Sequence, residues 1–142
     1  MRQIFLLICL FFTLEMVGQS NPTSLQVYIS GASSDAGSIR VLIFSKPSGF
    51  PDQVKQAVRS ISLPPKNGKA NFKLSDLPPG TYAIGVIHDQ DNNGKLSTNA
   101  VGYPTEKFGF SNNPKVYFGP PAFEKAAFVL GKNAVSVEIS LR

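Results

Sequence analysis

The densest group of oxygen-bearing side chains lies within one short segment in the second half of the chain. Asp89, Asp91 and Asn93 alternate along it, and Lys95 and Ser97 continue the spacing beyond the glycine at position 94. Hard cations such as Ca²⁺ take several oxygen ligands, and alternate residues around a tight glycine turn can converge on one point. The spacing predicts a calcium loop with three side-chain ligands, the Lys95 backbone carbonyl, and the Ser97 hydroxyl or a bridging water.

The loop departs from an EF-hand, and a simpler interpretation stays open beside it. Position twelve is Ala100 instead of the bidentate glutamate, and a strand precedes the loop where an EF-hand has a helix. Glu106 can fold back to add a third carboxylate. With so few carboxylates, we expect affinity in the weak extracellular range, about 10⁻⁴ to 10⁻³ M. In the alternative, the Asp and Asn side chains only hydrogen-bond their own backbone in Asx turns.

His88 is the only histidine of the chain and stands directly before this loop. With Asp89 or Asp91 it suggests hydrolysis, and an envelope hydrolase is the alternative function. The chain has no G-x-S-x-G and no S-x-x-K motif, which are signatures of serine nucleophiles. Strand alternation places His88 on an apolar face, which favours a hydrogen-bonded histidine at a strand end. We therefore predict that the protein is not an enzyme.

A second candidate site lies in the irregular stretch that follows the loop. Aromatic and amide side chains recur there at Tyr103, Phe108, Phe110, Asn112 and Asn113. Aromatic faces for stacking and amides for orientation predict a platform for a sugar or a peptide. In the alternative, the phenylalanines plug the end of the domain and the asparagines cap turns. So long an irregular stretch is uncommon in a compact domain, so we expect it to be ordered.

Short alternating segments separated by glycine and proline turns position these side chains. Strands are predicted at residues 25–30, 38–45, 69–74, 81–88, 126–130 and 134–141. The first two flank a turn-rich GASSDAG segment and predict a β-hairpin, while the last is predicted to be a half-buried antiparallel strand. Residues 81–88 are apolar or small on both faces, which indicates a central strand. Gly85 marks a bulge or a close backbone approach there.

These elements indicate an all-β fold, because strands do not alternate with helices along the chain. The prediction is an immunoglobulin-like (transthyretin-like) antiparallel β-sandwich of about seven strands. Helical spacing in residues 50–60 adds one short helical insertion. The sandwich is expected to occupy residues 21–142 as a single domain, since about 120 residues suit one core.

The first twenty residues have the composition of a secretory signal peptide. Arg2 precedes an apolar run from Ile4 to Phe12, and small residues follow at Gly18 and Ser20. The run is far shorter than the roughly 20 apolar residues that cross a bilayer, so no membrane span is expected after cleavage. The sequence predicts a secreted or periplasmic protein.

Composition excludes several kinds of bond and partner for residues 21–142. The single cysteine, Cys9, lies in the predicted signal peptide, so the domain has no disulfide and no thiolate metal site. The net charge of +5 stays with the domain, since the signal peptide holds one basic and one acidic residue. The basic residues are scattered singly, without the clustering of a nucleic-acid surface. We expect a cell-envelope protein or polysaccharide as the partner.

Several stretches of the chain resemble one bacterial family. LPPGTYAIGVIHDQDNNGKLSTN at 77–99 and GYPTEKFGFSNNPK at 102–115 are similar to the exported family called domain of unknown function 2141. SIRVLIFSKPSGF resembles its first core strand and PPAFEKAAFVL its late strand, so the likeness covers nearly the whole domain. The resemblance implies export and the sandwich fold but names no activity. This chain departs from the family at Ser97, where relatives carry a carboxylate.

More distantly, LPPGTYAIGV resembles the strand entry of transthyretin-like and carboxypeptidase-regulatory-like sandwich domains. The sequence thus predicts an exported, non-enzymatic binding or structural module of the cell envelope. Calcium is its one candidate cofactor.

Overall fold

Eight strands make up two β-sheets in the computed structural model, which describes residues 23–142. The strands are β1 Leu25–Ser30, β2 Ser38–Phe44, β3 Arg59–Leu63, β4 Lys69–Leu74, β5 Gly80–Asp89, β6 Phe108–Phe110, β7 Phe128–Leu130 and β8 Val135–Ser140. The first sheet has the order β4-β1-β8, and the second has the order β3-β2-β5-β6, with β7 pairing the start of β5. The all-β, sandwich-like prediction is confirmed, whereas the immunoglobulin-like connectivity stays a prediction.

The main core lies between the sheets and is built from every second residue of the strands. Alternation points these side chains to one face of each sheet. The buried apolar set includes Leu25, Val27, Ile29, Ile39, Val41, Ile43, Tyr82, Ile84, Val86, Leu130, Val137 and Ile139. Full burial of one such side chain contributes roughly 1.5 to 3 kcal/mol, so this set is the main source of stability.

A smaller core covers the outer face of the second sheet. Phe44 and Ala83 point away from the main core and pack with Phe110 and Phe123. The ring of Phe50 meets Phe44 edge-on at 5.5 Å between centroids and Phe123 at 5.8 Å. β5 is therefore covered on both faces, which confirms the prediction of a central strand.

Gly85 on β5 confirms the predicted close approach of two backbones. A Cβ atom at this position would lie 2.9 Å from the carbonyl oxygen of Pro51. The absence of a side chain lets the segment before β3 pack directly on the sheet, where it covers the smaller core.

The short helical insertion predicted within residues 50–60 is present as a single turn. Only a 3₁₀ turn forms, at Val54–Gln56, and the chain enters β3 at Arg59. Serines alternate with larger side chains along β3. This two-residue alternation is typical of a strand, and the segment forms a strand instead of continuing a helix. Residues 126–130 also differ in part, because a helical turn, α1 Phe123–Ala126, precedes β7.

The predicted hairpin of the first two strands is wrong, because β1 and β2 belong to different sheets. Residues 31–37 cross from one sheet to the other. Gly31 and Gly37 adopt φ values of +88° and +71°, and a Cβ at Gly37 would lie 2.1 Å from the Asp89 carbonyl oxygen. A glycine-rich turn can join two strands of a hairpin or lead the chain from one sheet to the other. Composition alone therefore did not distinguish these two connections.

β8 pairs with β1 in parallel, which corrects the antiparallel prediction. The alternation of apolar and polar residues in β8 shows that one face of the strand is buried. A strand can bury one face whether it pairs in parallel or antiparallel with its neighbour. Beyond β8, Arg142 exchanges backbone hydrogen bonds of 3.0 and 3.2 Å with Phe108 of the second sheet. The Asn113 side chain also bonds the Glu138 carbonyl and the Ser140 N–H. The two sheets thus meet along this side of β8.

The predicted signal peptide, residues 1–20, lies outside the described residues. Within residues 23–142, no helix is both long and apolar enough to cross a bilayer.

Candidate functional site

The candidate site lies at the end of β5. The ladder between β2 and β5 extends to Asp89, which lies opposite Ser38. The chain then leaves the sheet and returns at Lys107, whose carbonyl accepts the His88 N–H at 2.8 Å. Residues 89–106, named here the acidic loop, are therefore closed at their base by a backbone hydrogen bond.

Asp89 anchors the acidic loop and is fully buried. Its carboxylate accepts hydrogen bonds from the N–H groups of Asn93 at 3.0 Å and Gly94 at 2.9 Å, and it pairs with the Arg40 guanidinium. Burial raises the pKa of the Asp89 carboxyl, but these donors outweigh burial and hold the pKa below its ordinary value. The carboxylate is therefore charged at neutral pH.

Asp91 and Asn93 fix the turn by hydrogen bonds of the Asx type. Asp91 accepts from the Asn93 N–H at 3.1 Å and from its side-chain amide at 2.9 Å. Asn93 accepts from the Lys95 N–H at 2.9 Å and donates to the Ser97 hydroxyl at 3.0 Å. These are the bonds of the Asx-turn interpretation. An ionised carboxylate has about four acceptor positions, so the same bonds leave capacity for a cation.

Glu106 lies on the returning arm of the acidic loop and is buried. Its Oε1 accepts from the Gln90 N–H at 2.8 Å, and its Oε2 accepts from the Ser97 N–H at 2.9 Å. This one carboxylate joins both arms of the loop.

Carboxylate oxygens of Asp89, Asp91 and Glu106 all lie within 4.8 Å of one another. Two oxygens bonded to one calcium ion at about 2.3 to 2.6 Å are at most about 5 Å apart. The three carboxylates therefore lie close enough to share an ion. Asn93, Lys95 and Ser97 belong to the same turn, and their role as ligands stays a prediction.

Arg40 is the residue of this site that sequence reasoning missed. It lies in β2, and within residues 23–142 it is the one cation that pairs with any of the three carboxylates, namely with Asp89. The available signal was a lone arginine inside the apolar run IRVLIF, because a charge in a buried strand requires a partner. Three carboxylates and one guanidinium leave two negative charges uncompensated.

His88 is fully buried beside the acidic loop, and its side chain serves the sheet crossing. Nδ1 accepts from the Ser33 N–H at 3.2 Å, so the ring proton is on Nε2, which donates to the Ala36 carbonyl at 2.8 Å. Both ring nitrogens are thus engaged with the backbone of residues 31–37. This arrangement leaves the hydrolase alternative without a free imidazole nitrogen.

The structure brings the residues of the predicted aromatic platform together only in part, since Tyr103 and Phe108 line one groove. Phe110 is buried in the smaller core, and Phe108 packs on it with 5.9 Å between ring centroids. Tyr103 instead projects into solvent, with 72% of its surface exposed.

Asn112 and Asn113 use their amides to fasten the backbone. Both adopt positive φ, 64° and 46°. Asn112 donates to the Ala127 carbonyl at 2.7 Å, while Asn113 holds β8 as described above. The two phenylalanines and the two asparagines lie as the plug-and-cap alternative expects, whereas Tyr103 is exposed, and ligand binding by this set stays a prediction.

Comparison with known proteins gives one match. A family model described as "Uncharacterized protein conserved in bacteria (DUF2141)" matches residues 27–138. No curated protein and no solved structure is similar enough to count as a match. The more distant transthyretin-like resemblance therefore stays a prediction.

Proposed function

We propose that this chain, which belongs to the bacterial family DUF2141, is an exported, non-enzymatic module of the cell envelope whose acidic loop binds one calcium ion weakly. Family membership is a coarse finding, because the family is described only as uncharacterized bacterial proteins. The finer proposal is carried by the convergence of Asp89, Asp91 and Glu106 at the end of the central strand.

Electrostatics favours a cation among these three carboxylates. Two unit charges 4.8 Å apart repel by about 3 kcal/mol at an effective dielectric constant of about 20. Arg40 pairs with Asp89, so among the described residues Asp91 and Glu106 have no ion-pair partner. A divalent ion would neutralise the two remaining charges and relieve this repulsion.

The donor chemistry favours calcium over the transition metals. All of the converging atoms are carboxylate oxygens, which suit hard cations, and the domain has no thiolate to select a softer ion. Three carboxylates correspond to weak binding, with a Kd of about 10⁻⁴ to 10⁻³ M, as in extracellular modules. The ion's role would be to fasten both arms of the loop to the end of β5.

Support for an exported, non-enzymatic module comes from two other parts of the chain. The pattern of Arg2 followed by an apolar run and small residues supports export. The engagement of both His88 nitrogens supports a role other than hydrolysis. The expected partner is an envelope protein or polysaccharide, with the net charge of +5 favouring an anionic one.

Thermal unfolding with and without calcium tests the proposal. At free calcium about ten times the Kd, binding to the folded state alone contributes about 1.4 kcal/mol and raises the Tm by several degrees. In Asp91→Asn the exposed carboxylate loses its charge while an oxygen remains for the Asn93 N–H. We expect this variant to fold and to lose the calcium-dependent rise.

The matched control is Asp52→Asn, which removes an exposed carboxylate distant in sequence from the acidic loop and should retain the full rise. Sodium chloride at equal ionic strength separates specific binding from screening. Equal calcium-dependent rises in Asp91→Asn and the wild type would contradict the proposal, as would no rise in the wild type at millimolar calcium.

A further inference from the structure

Exposed apolar side chains concentrate in one part of the domain. Residues 23–142 expose seven large apolar side chains, and four of them fall between positions 101 and 118. Val101 is 88% exposed, Tyr103 72%, Tyr117 78% and Phe118 99%. We call the three of them that carry rings, Tyr103, Tyr117 and Phe118, the aromatic tips. Single exposed apolar residues are ordinary, but a group of four is not.

The aromatic tips belong to two loops that border the same groove. Tyr103 and Val116, the residue before Tyr117, both line this groove. The Asn99 side chain accepts the N–H groups of Val101 at 3.1 Å and Tyr103 at 2.9 Å, which fixes the first loop.

The second loop is held at its base by a hydrogen bond. The Arg142 guanidinium donates to the Pro114 carbonyl, and two prolines follow Gly119 directly. The hydrogen bonds from Asn99 and from Arg142 therefore hold the backbone beside the tips.

Exposed basic residues line the groove or lie next to its lining residues in the sequence. Lys107 and Arg142 line the groove, and Lys115 precedes Val116; all three are exposed. The one acidic residue in the groove lining, Glu106, is buried and bonded by two backbone N–H groups. A surface that combines exposed aromatic rings with exposed cations complements one that combines anionic head groups with an apolar interior.

We propose that the aromatic tips insert into the interface of an anionic lipid bilayer while the surrounding basic residues bind its head groups. Aromatic side chains favour the membrane interface, and each lysine near an anionic leaflet strengthens binding about fivefold. A lipid surface fits better than a protein, because protein hot spots are packed in complementary pockets, whereas these side chains are largely exposed to solvent. The inference rests on the proposed envelope location, since an exported protein meets a lipid surface there.

A tryptophan reporter tests insertion directly, since the chain contains no tryptophan. In Phe118→Trp the indole takes the most exposed position, and its emission should shift to the blue when vesicles of equal parts phosphatidylcholine and phosphatidylglycerol are added. Tyr28→Trp, on the outer face of β1 and 49% exposed, is the matched control and should not shift. Equal shifts in both variants, or a shift in neither, overturn the proposal.

Vesicle co-sedimentation tests which residues bind. Replacing Tyr117 and Phe118 together by serine should weaken binding by about tenfold or more, because the side chains that enter the apolar interface are removed. Replacing Lys107 and Lys115 by glutamine should weaken it by about tenfold or more and only on anionic vesicles. The control pair Lys69→Gln and Lys73→Gln, on β4, removes the same charge and should change binding little.

The outcomes separate this inference from the proposed function. The protein is taken as a bacterial host exports it, and mass spectrometry of its N-terminus reports whether residues 1–20 were removed. Retention of those residues counts against export. The difference in vesicle binding between variants still tests the tips, because every variant carries the same N-terminus. Loss of binding to insoluble cell-wall polysaccharide in the serine variant, with vesicle binding unchanged, would assign the tips to a polymer and overturn the lipid proposal.

Discussion

His88, Asp89 and Glu106 are buried polar residues at one end of the sandwich, and their side chains bond mainly to loop backbone. Within residues 23–142, no buried side-chain nitrogen or oxygen lacks a hydrogen-bond partner. A buried group that loses its partner costs more than the bond itself contributed, so such residues determine loop positions strongly. Sequence spacing placed Asp89 and His88 correctly at a strand end but did not reveal their partners.

His88→Ala is expected to lower the free energy of unfolding by about 2 to 4 kcal/mol. The substitution leaves the Ser33 N–H and the Ala36 carbonyl without their partner and opens a cavity. His88→Gln, which can restore one of the two bonds, should lie between the variant and the wild type in urea unfolding. Wild-type stability in His88→Ala would contradict a structural role for this side chain.

Asp35 provides a pH dependence that does not involve the acidic loop. Hydrogen bonds at 2.9 Å from the N–H groups of Gly68 and Asn67 hold the pKa of the Asp35 carboxyl below its ordinary value. A carboxyl whose pKa is lowered by folding adds stability above its unfolded pKa and loses that contribution as pH falls through the folded pKa.

The stability gap between the wild type and Asp35→Asn should therefore be full near neutral pH and should close as the pH falls below about 4. Urea unfolding across this range measures it. Asp52→Asn, measured in the same series, is the control for replacing an exposed carboxylate by an amide. A gap for Asp35→Asn that is independent of pH would show that the carboxylate charge plays no part.

At the scale of elements, alternation predicted strands well and strand partners poorly. β1, β4, β5 and β8 were placed within a residue or so of their bounds, because β1, β4 and β8 alternate in burial and β5 is largely apolar or small on both faces. The wrong hairpin and the wrong direction of β8 have one cause: alternation reports burial of a face and carries no information about the neighbouring strand. Those choices depend on contacts between residues far apart in sequence.

Gly109 shows how one such distant contact joins the sheets. A Cβ on this residue of β6 would lie 2.9 Å from Ile139 Cγ2 and 3.0 Å from the Ser140 carbonyl oxygen, both in β8. Gly109→Ala should therefore lower the free energy of unfolding by about 1 to 3 kcal/mol through overpacking.

Gly131→Ala is the matched control for that prediction, because a Cβ there meets nothing within 4 Å. It should leave stability unchanged or raise it slightly by restricting the unfolded chain. Chemical denaturation of both variants distinguishes overpacking from a general effect of replacing glycine, and equal stabilities would argue against close contact of β6 with β8.

At the scale of the whole molecule, the acidic loop is positioned by segments that are far apart in the sequence. β5 supplies Asp89, β2 supplies Arg40, and the sheet crossing bonds to His88 beside them. The sequence predicted the loop carboxylates and the return of Glu106, since these lie within eighteen consecutive positions. It did not predict Arg40, because that contact depends on the pairing of β2 with β5.

A crystal structure of the domain with millimolar calcium tests the central claim most directly. The account predicts one calcium ion, seen as an anomalous difference peak. The ion should be bonded to carboxylate oxygens of Asp89, Asp91 and Glu106 at about 2.3 to 2.6 Å. The peak should be lost in Asp91→Asn crystals grown under the same conditions. A well-ordered acidic loop with no peak among these three carboxylates, at calcium well above about 10⁻³ M, would contradict the account.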